Sequence, residues 1–191
     1  VLLRRMTDSE LNADVERLWH DRSLWILRND CPVVQGPRGG RRLAWLGNLF
    51  EDTQDVIYRD LGETYVRWML DVAVHRDDYC YFPFMQGFRV MAPDPPPTGW
   101  TATWMGWMIQ GTTSFHRATG SQPAFELASK LARYMKDHGG VIAQDGTFLA
   151  GHGSGKGPTV HFHHDANALE GLAEFGLLTG DGEYLDFVRQ G

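Results

Sequence analysis

The chain has 191 residues, 42% of them hydrophobic and 22% charged, with a formal net charge of −6. That balance excludes a disordered polar chain and gives no sign of a membrane span. The acidic surplus argues against nucleic acid as the main partner, because phosphate binding needs a basic surface. A chain of this length can bury a core as one domain, residues 1–191, or as part of a larger one. Two cysteines, Cys31 and Cys80, are too few for a disulfide framework, though they allow one bridge.

In chain order, Thr7-Asp8-Ser9-Glu10 has the form of a capping box and predicts a helix to about Arg28, buried through Leu11, Val15, Leu18 and Trp19. Residues 30–42, with prolines and glycines, read as a loop. Residues 46–75 read as a helical pair turning at Leu61-Gly62, its second helix packing through Tyr65, Val66, Met69, Leu70 and Ala73. An aromatic connection over 79–98 follows and closes on Asp94-Pro95-Pro96-Pro97; irregular connections of this length are often functional. A second pair places one helix over 100–118, a turn at Thr119-Gly120, and an outer stripe of Phe125, Ala128, Leu131 and Met135. Glu126, Lys130, Arg133 and Lys136 take the polar side of that outer helix. Asp145-Gly146, between two short apolar runs, predicts a β-hairpin with a type I′ turn. The glycine-rich run 151–157 fails as a phosphate loop, since its spacing is short by one residue and Gly157 follows Lys156.

The stretch HFHHDANALEGLAEFGLLTGDGEYLDFVRQ, 161–190, holds the densest chemistry. An inner helix, apolar nearly all round, ends at Thr179-Gly180, and Asp181 can cap an amphipathic outer helix. The second pair repeats here: Gly111, Phe115, Thr119 and Gly120 return sixty residues later as Gly171, Phe175, Thr179 and Gly180. A weaker copy, turning at Leu61-Gly62, lies 58 residues before Thr119-Gly120. A period near 60 is too long for tetratricopeptide or HEAT hairpins and suits inner and outer helices joined by long loops. The expected fold is therefore all-α: an incomplete α/α toroid of about three helical hairpins with a small β-hairpin insertion.

At the entrance to the last inner helix stand His161, His163, His164 and Asp165. Imidazoles beside a carboxylate suit proton transfer, hydroxyl binding or a metal; no zinc signature is present, and neither a metal nor a cofactor is expected. The alternative is a packed helix start with Asp165 at its positive end. Aligned copies set Trp104 opposite His164, Trp107 opposite Asn167, and Gln110 opposite Glu170 and Asp52. Trp100, Trp104 and Trp107 make a candidate sugar platform with Asn167 and His161, against the equal alternative of core tryptophans. Glycoside hydrolysis needs two carboxyl groups, for which one of Glu51, Asp52 and Asp55 could face Asp165 or Glu170. Asp165 is the first candidate for the acid, with His163 and His164 orienting it or the sugar. Burial would raise its pKa and the helix N-terminus would lower it. β-Elimination from a uronate remains open; it needs a base such as His163 or a tyrosine and a cation for the substrate carboxylate, a role that Tyr79 and Tyr81, with His75 and Arg76, could serve on the aromatic loop.

The run FHHDANALEGLAEFGLLTGDGEYLDFVR resembles a repeat of bacterial α/α-toroid proteins grouped with carbohydrate-active enzymes. Their relatives by architecture include unsaturated glucuronyl hydrolases, arabinofuranosidase-like enzymes and polysaccharide lyases. The resemblance covers the last third of the chain well and the middle third loosely. It implies a six-hairpin ring around a carbohydrate cleft, about three hairpins of which lie in this chain, and a carbohydrate substrate. It transfers no catalytic residue position by position, and the three-cysteine zinc pattern of the arabinofuranosidase type is missing. Terpene cyclase or prenyltransferase chemistry is disfavoured: Asp77-Asp78 is followed by Tyr79-Cys80-Tyr81, so no DDxxD motif forms. A non-catalytic helical-repeat binding module stays open. Without a signal peptide or initiating methionine, and with a last helical segment of barely two turns, the sequence reads as a fragment of a longer chain. The compartment stays open between cytoplasm and secretion after signal removal.

Overall fold

A computed structural model describes residues 37–86, 89–92, 98–143, 145–149 and 162–191, with backbone alone at 37, 38, 84–86, 89–92, 100 and 101. The expected helix over 7–28, the proline run 94–97, the glycine-rich run 151–157 and His161 lie outside the described residues, as does the side chain of Trp100.

The described chain is mostly helical. Three hairpins follow one another: α1 (Pro37–Thr53) with α2 (Val56–Val72), α3 (Met105–Thr119) with α4 (Gln122–Arg133), and α5 (Phe162–Thr179) with α6 (Gly182–Gln190). A 3₁₀ segment, Gly99–Trp104, leads into α3, and a π-helical turn, Tyr134–His138, prolongs α4. The inner helices α1, α3 and α5 pack side by side, each with its outer helix behind it.

All three hairpins turn on one device. Thr53, Thr119 and Thr179 each donate their hydroxyl to the carbonyl four residues back, at 2.6, 2.6 and 2.9 Å. The next residue is left-handed: Gln54 at φ 58, Gly120 at φ 74 and Gly180 at φ 70. Then Asp55, Ser121 or Asp181 caps the outer helix, its side chain accepting from Ile57, Ala124 or Glu183 N–H.

The first hairpin therefore turns at Gln54, and the sequence reading of Leu61-Gly62 is corrected. A glycine was sought where glutamine stands. Gln54 tolerates the position by donating Nε2 to the carbonyls of Phe50 and Glu51, at 3.3 and 3.1 Å. Gly62 lies inside α2, where a Cβ would come within 2.2 Å of the Phe115 ring. Residues 37–42, read as loop, are the first turns of α1.

Glycines set how closely the inner helices approach. A Cβ on Gly40 would lie 1.7 Å from the Trp107 carbonyl oxygen, one on Gly111 2.1 Å from that of Gly40, and one on Gly171 2.3 Å from that of Gly106. Only bare backbone fits at these crossings. The order of contacts also fixes direction. Gly40 meets Trp107 and Gly47 meets Phe115, while Gly106 meets Ala168 and Gln110 meets Glu174. The three inner helices run parallel.

Between α2 and α3 the chain pairs briefly. β1 (Val74–His75) opposes β2 (Cys80–Tyr81), and β3 (Phe84–Gln86) opposes β4 (Arg89–Ala92) with an irregularity at Phe84/Met85. The aromatic connection is thus partly ordered into ribbons whose strands are too short for a period of two to register. Among the described residues the hairpin expected around Asp145-Gly146 narrows to one bridge, Ile142 to Phe148, with Gly146 at φ 86. The core is continuous from Leu43 and Leu46 through Met69, Ile109, Phe115 and Leu127 to Leu172 and Phe175.

Candidate functional site

The starts of α3 and α5 lie side by side, because parallel helices in contact near Gly106 bring their first turns together. His164 stands edge-on to Trp107, ring centroids 4.9 Å apart, and to Trp104 at 5.6 Å. His163 lies 6.1 Å from Trp107 and 4.2 Å from His164. Trp104, Trp107, His163 and His164, which the aligned repeats set at neighbouring positions, are therefore in ring contact.

Their exposure divides them. Trp107 is 1% exposed, so its ring is core and offers no face to a sugar; its indole Nε1 has no hydrogen-bond partner among the described residues. Trp104 and His164 are half-buried, and His163 is exposed. Asp165 is 1% exposed.

Helical geometry explains the division. At about 100° per residue, α5 presents three arcs besides its edge. His164, Ala168 and Gly171 face α3. Asp165 shares the arc of Leu172 and Gly176, which faces α6, where Gly176 packs on Tyr184 and Leu185. His163, Asn167, Glu170 and Glu174 fall in an arc of about 60°, turned about 140° or more from Asp165. His163 and Glu170 are exposed, and Asn167 and Glu174 half-buried. Asn167 Nδ2 donates to the His163 carbonyl at 2.5 Å, holding this stripe's first turn. Gln110 of α3 donates Nε2 to Glu174 Oε1 at 3.0 Å. The other Glu174 oxygen is buried and has no hydrogen-bond partner among the described residues. The polar face of the site is this stripe with Gln110. The sequence reading of α5 as apolar nearly all round missed Glu174, although the spacing of His163, Asn167, Glu170 and Glu174 was there to be read.

Glu51 and Asp52 are not brought to this site. Both are exposed in the last turn of α1, eleven and twelve residues beyond the Gly40 that touches Trp107, about 16–18 Å along the axis. The alignment of Asp52 with Gln110 and Glu170 came from the misplaced first turn, and is corrected. Asp55 caps α2.

The tyrosines weighed for elimination gather against the π-helical turn that prolongs α4. Tyr79 stacks on His138 at 4.1 Å, Tyr81 lies 5.1 Å from Tyr134, and Arg76 donates to the Tyr81 hydroxyl at 3.3 Å. Tyr81 and Tyr134 are fully buried. Burial pushes the Tyr134 phenol well above its ordinary range, the wrong direction for a base.

Among the described residues no three His, Cys, Asp or Glu side chains gather as a metal site would need. Among them also, no helix is long and apolar enough to cross a membrane. Comparison with known protein families, with curated proteins and with solved structures finds no match.

Proposed function

We propose that this array is part of an α/α toroid and that the toroid acts on a poly- or oligosaccharide, by preference as a glycoside hydrolase. The observation that carries the reading is the stripe of His163, Asn167, Glu170 and Glu174, whose His163 ring meets His164, itself edge-on to half-buried Trp104. An amide, carboxylates and an imidazole bind and polarise hydroxyl groups. Beyond His164, the half-buried Trp104 offers an aromatic surface suited to the C–H face of a sugar ring.

In this reading Glu170 protonates the leaving glycosidic oxygen, since it is the exposed carboxyl group of the stripe. Glu174, held by Gln110, and Asn167 orient the sugar. Asp165, buried on another arc, positions the helix entrance and its two imidazoles from behind. The opposing carboxylate lies across the cleft on hairpins that complete the ring. Elimination from a uronate is the weaker reading, because Glu170 and Glu174 would repel the substrate carboxylate.

The test is release of reducing ends from a panel of neutral and acidic glycans, by the wild type, Glu170→Gln and Asp165→Asn. Losing the acid should cost about two to four orders of magnitude in turnover, for Glu170→Gln and without a change in folding. The reverse pattern would move the acid to Asp165. Absence of turnover with retained binding would leave a non-catalytic module.

A further inference from the structure

The turn that prolongs α4 lies outside the candidate site but is tied to it by an unbroken run of contacts. Tyr134–His138 is π-helical, and Gly139 N–H donates to the Tyr134 carbonyl, five residues back, at 2.8 Å. Such turns are rare and concentrate at functional sites. The ribbon of β1 and β2 grips this one at both ends. Tyr79, between the strands, lays its ring on the His138 ring, with centroids 4.1 Å apart at 29°. Its carbonyl accepts Arg76 N–H at 2.9 Å, which fixes the ribbon's own turn. Tyr81 of β2 meets Tyr134 at 5.1 Å.

The residue that leaves the π-turn carries this grip onward. Gly139 is buried, and its carbonyl accepts Gly99 N–H at 2.7 Å. A Cβ on Gly139 would lie 3.2 Å from Ala102 Cβ. Gly99 and Ala102 belong to the 3₁₀ segment that ends at Trp104, and Ala102 and Thr103 are wholly buried. Trp104 in turn stands edge-on to His164 at 5.6 Å. A π-turn has a second register close by, the α-helical one. Reverting to it would turn the next residue by about 100° and shift it by about 1.5 Å. The Gly139 carbonyl would then leave Gly99, and the segment carrying Trp104 would follow.

We infer that Tyr79 and His138 are positioning residues for the candidate site. Their stack holds the π-turn in register and, through Gly139 and the 3₁₀ segment, sets where Trp104 meets His164. What Trp104 then does to a sugar rests on the proposed function; the coupling itself does not.

The test reads Trp104 directly, through its indole N–H resonance in the nitrogen-labelled protein, assigned by its loss in Trp104→Phe. His138→Ala and Tyr79→Ala should each move that resonance, while the indole of Trp45, in α1, stays in place. Tyr79→Phe keeps the ring and should leave Trp104 where it is. His138 is exposed, so its replacement should leave the protein folded. Gly139→Ala pushes on Ala102 with the stack intact and should also move Trp104. For a glycan turned over in the reducing-end assay, His138→Ala should raise KM by about 2- to 30-fold, more than it lowers kcat. A Trp104 resonance unmoved by His138→Ala and Tyr79→Ala would overturn the inference. So would a Tyr79→Phe protein that behaves as Tyr79→Ala, or an unchanged KM. Movement of Trp104 in a protein that turns over no glycan would uphold the coupling and refute the carbohydrate reading instead.

Discussion

Replacing Gly171 by alanine sets two effects of known sign against each other. In a helix with open space beside it, Gly→Ala stabilises by about 0.5–1 kcal/mol. At Gly171 the added Cβ would lie 2.3 Å from the Gly106 carbonyl oxygen and 3.0 Å from its carbon. That is about 1 Å inside ordinary contact, and the obstruction is helix backbone, which cannot rotate away. Relief requires α5 to move off α3, and a gap of 0.5–1 Å forfeits about a quarter to a half of each contact's attraction. Overpacking of this kind costs about 1–3 kcal/mol. The net expectation is destabilisation by about 1–2 kcal/mol, or a fall of about 2–8 °C in Tm for a chain of this size. Gly182→Ala is the control: no atom lies within 4 Å of the Cβ it would add, at the first position of an outer helix. It should be neutral or slightly stabilising. Thermal melts by circular dichroism decide the matter. If Gly171→Ala raised Tm as the control does, the inner helices would not cross at bare backbone.

Three further outcomes follow from particular residues. Ser121→Ala removes the cap that accepts from Ala124 N–H at 3.2 Å and should cost about 1 kcal/mol in urea unfolding; an unchanged midpoint would mean that the α3–α4 turn does not depend on it. Gln54→Gly relieves a left-handed residue worth about 1–2 kcal/mol, partly offset by the looser unfolded chain. It should therefore be neutral to modestly stabilising, and a clear loss would give the Gln54 side-chain hydrogen bonds the larger share. Burial pushes the Cys80 thiol up to about 12, against about 8.5 in an unfolded chain. The unfolded state alone then loses a proton between those values, so this group's contribution to stability falls as pH rises through that window. With Cys31 replaced by serine, native Cys80 should resist thiol reagents at pH 8 and react fast in urea; fast native labelling would contradict its burial.

The second and third hairpins were legible because glycine occupies their left-handed turns and the same Gly and Phe recur sixty residues apart. The first was misplaced because Gln54 does in one copy what glycine does in two. The shared signal was Thr followed two residues later by Asp or Ser, which all three turns carry. Gly39 and Gly40 read as loop because a glycine needed for close packing cannot be told from a flexible one by sequence alone. At the site, the neighbourhood of Trp104, Trp107, His163 and His164 was readable from the repeat. Exposure was not. Whether Trp107 faces a cleft or a core depends on which side the neighbouring helix covers, and only packing decides that. The same holds for Asp165, whose burial is set by packing around the start of α5.

The central claim is that the stripe from His163 to Glu174 meets a sugar. The most direct measurement is the amide and side-chain nitrogen spectrum of the isotopically labelled protein during titration with a neutral oligosaccharide. The account predicts saturable shifts at His163, Asn167, Glu170 and the Gln110 side-chain amide, with Glu51 and Asp52 unmoved. Shifts confined to the Glu51–Asp52 end of α1, or none across a broad glycan panel, would contradict it.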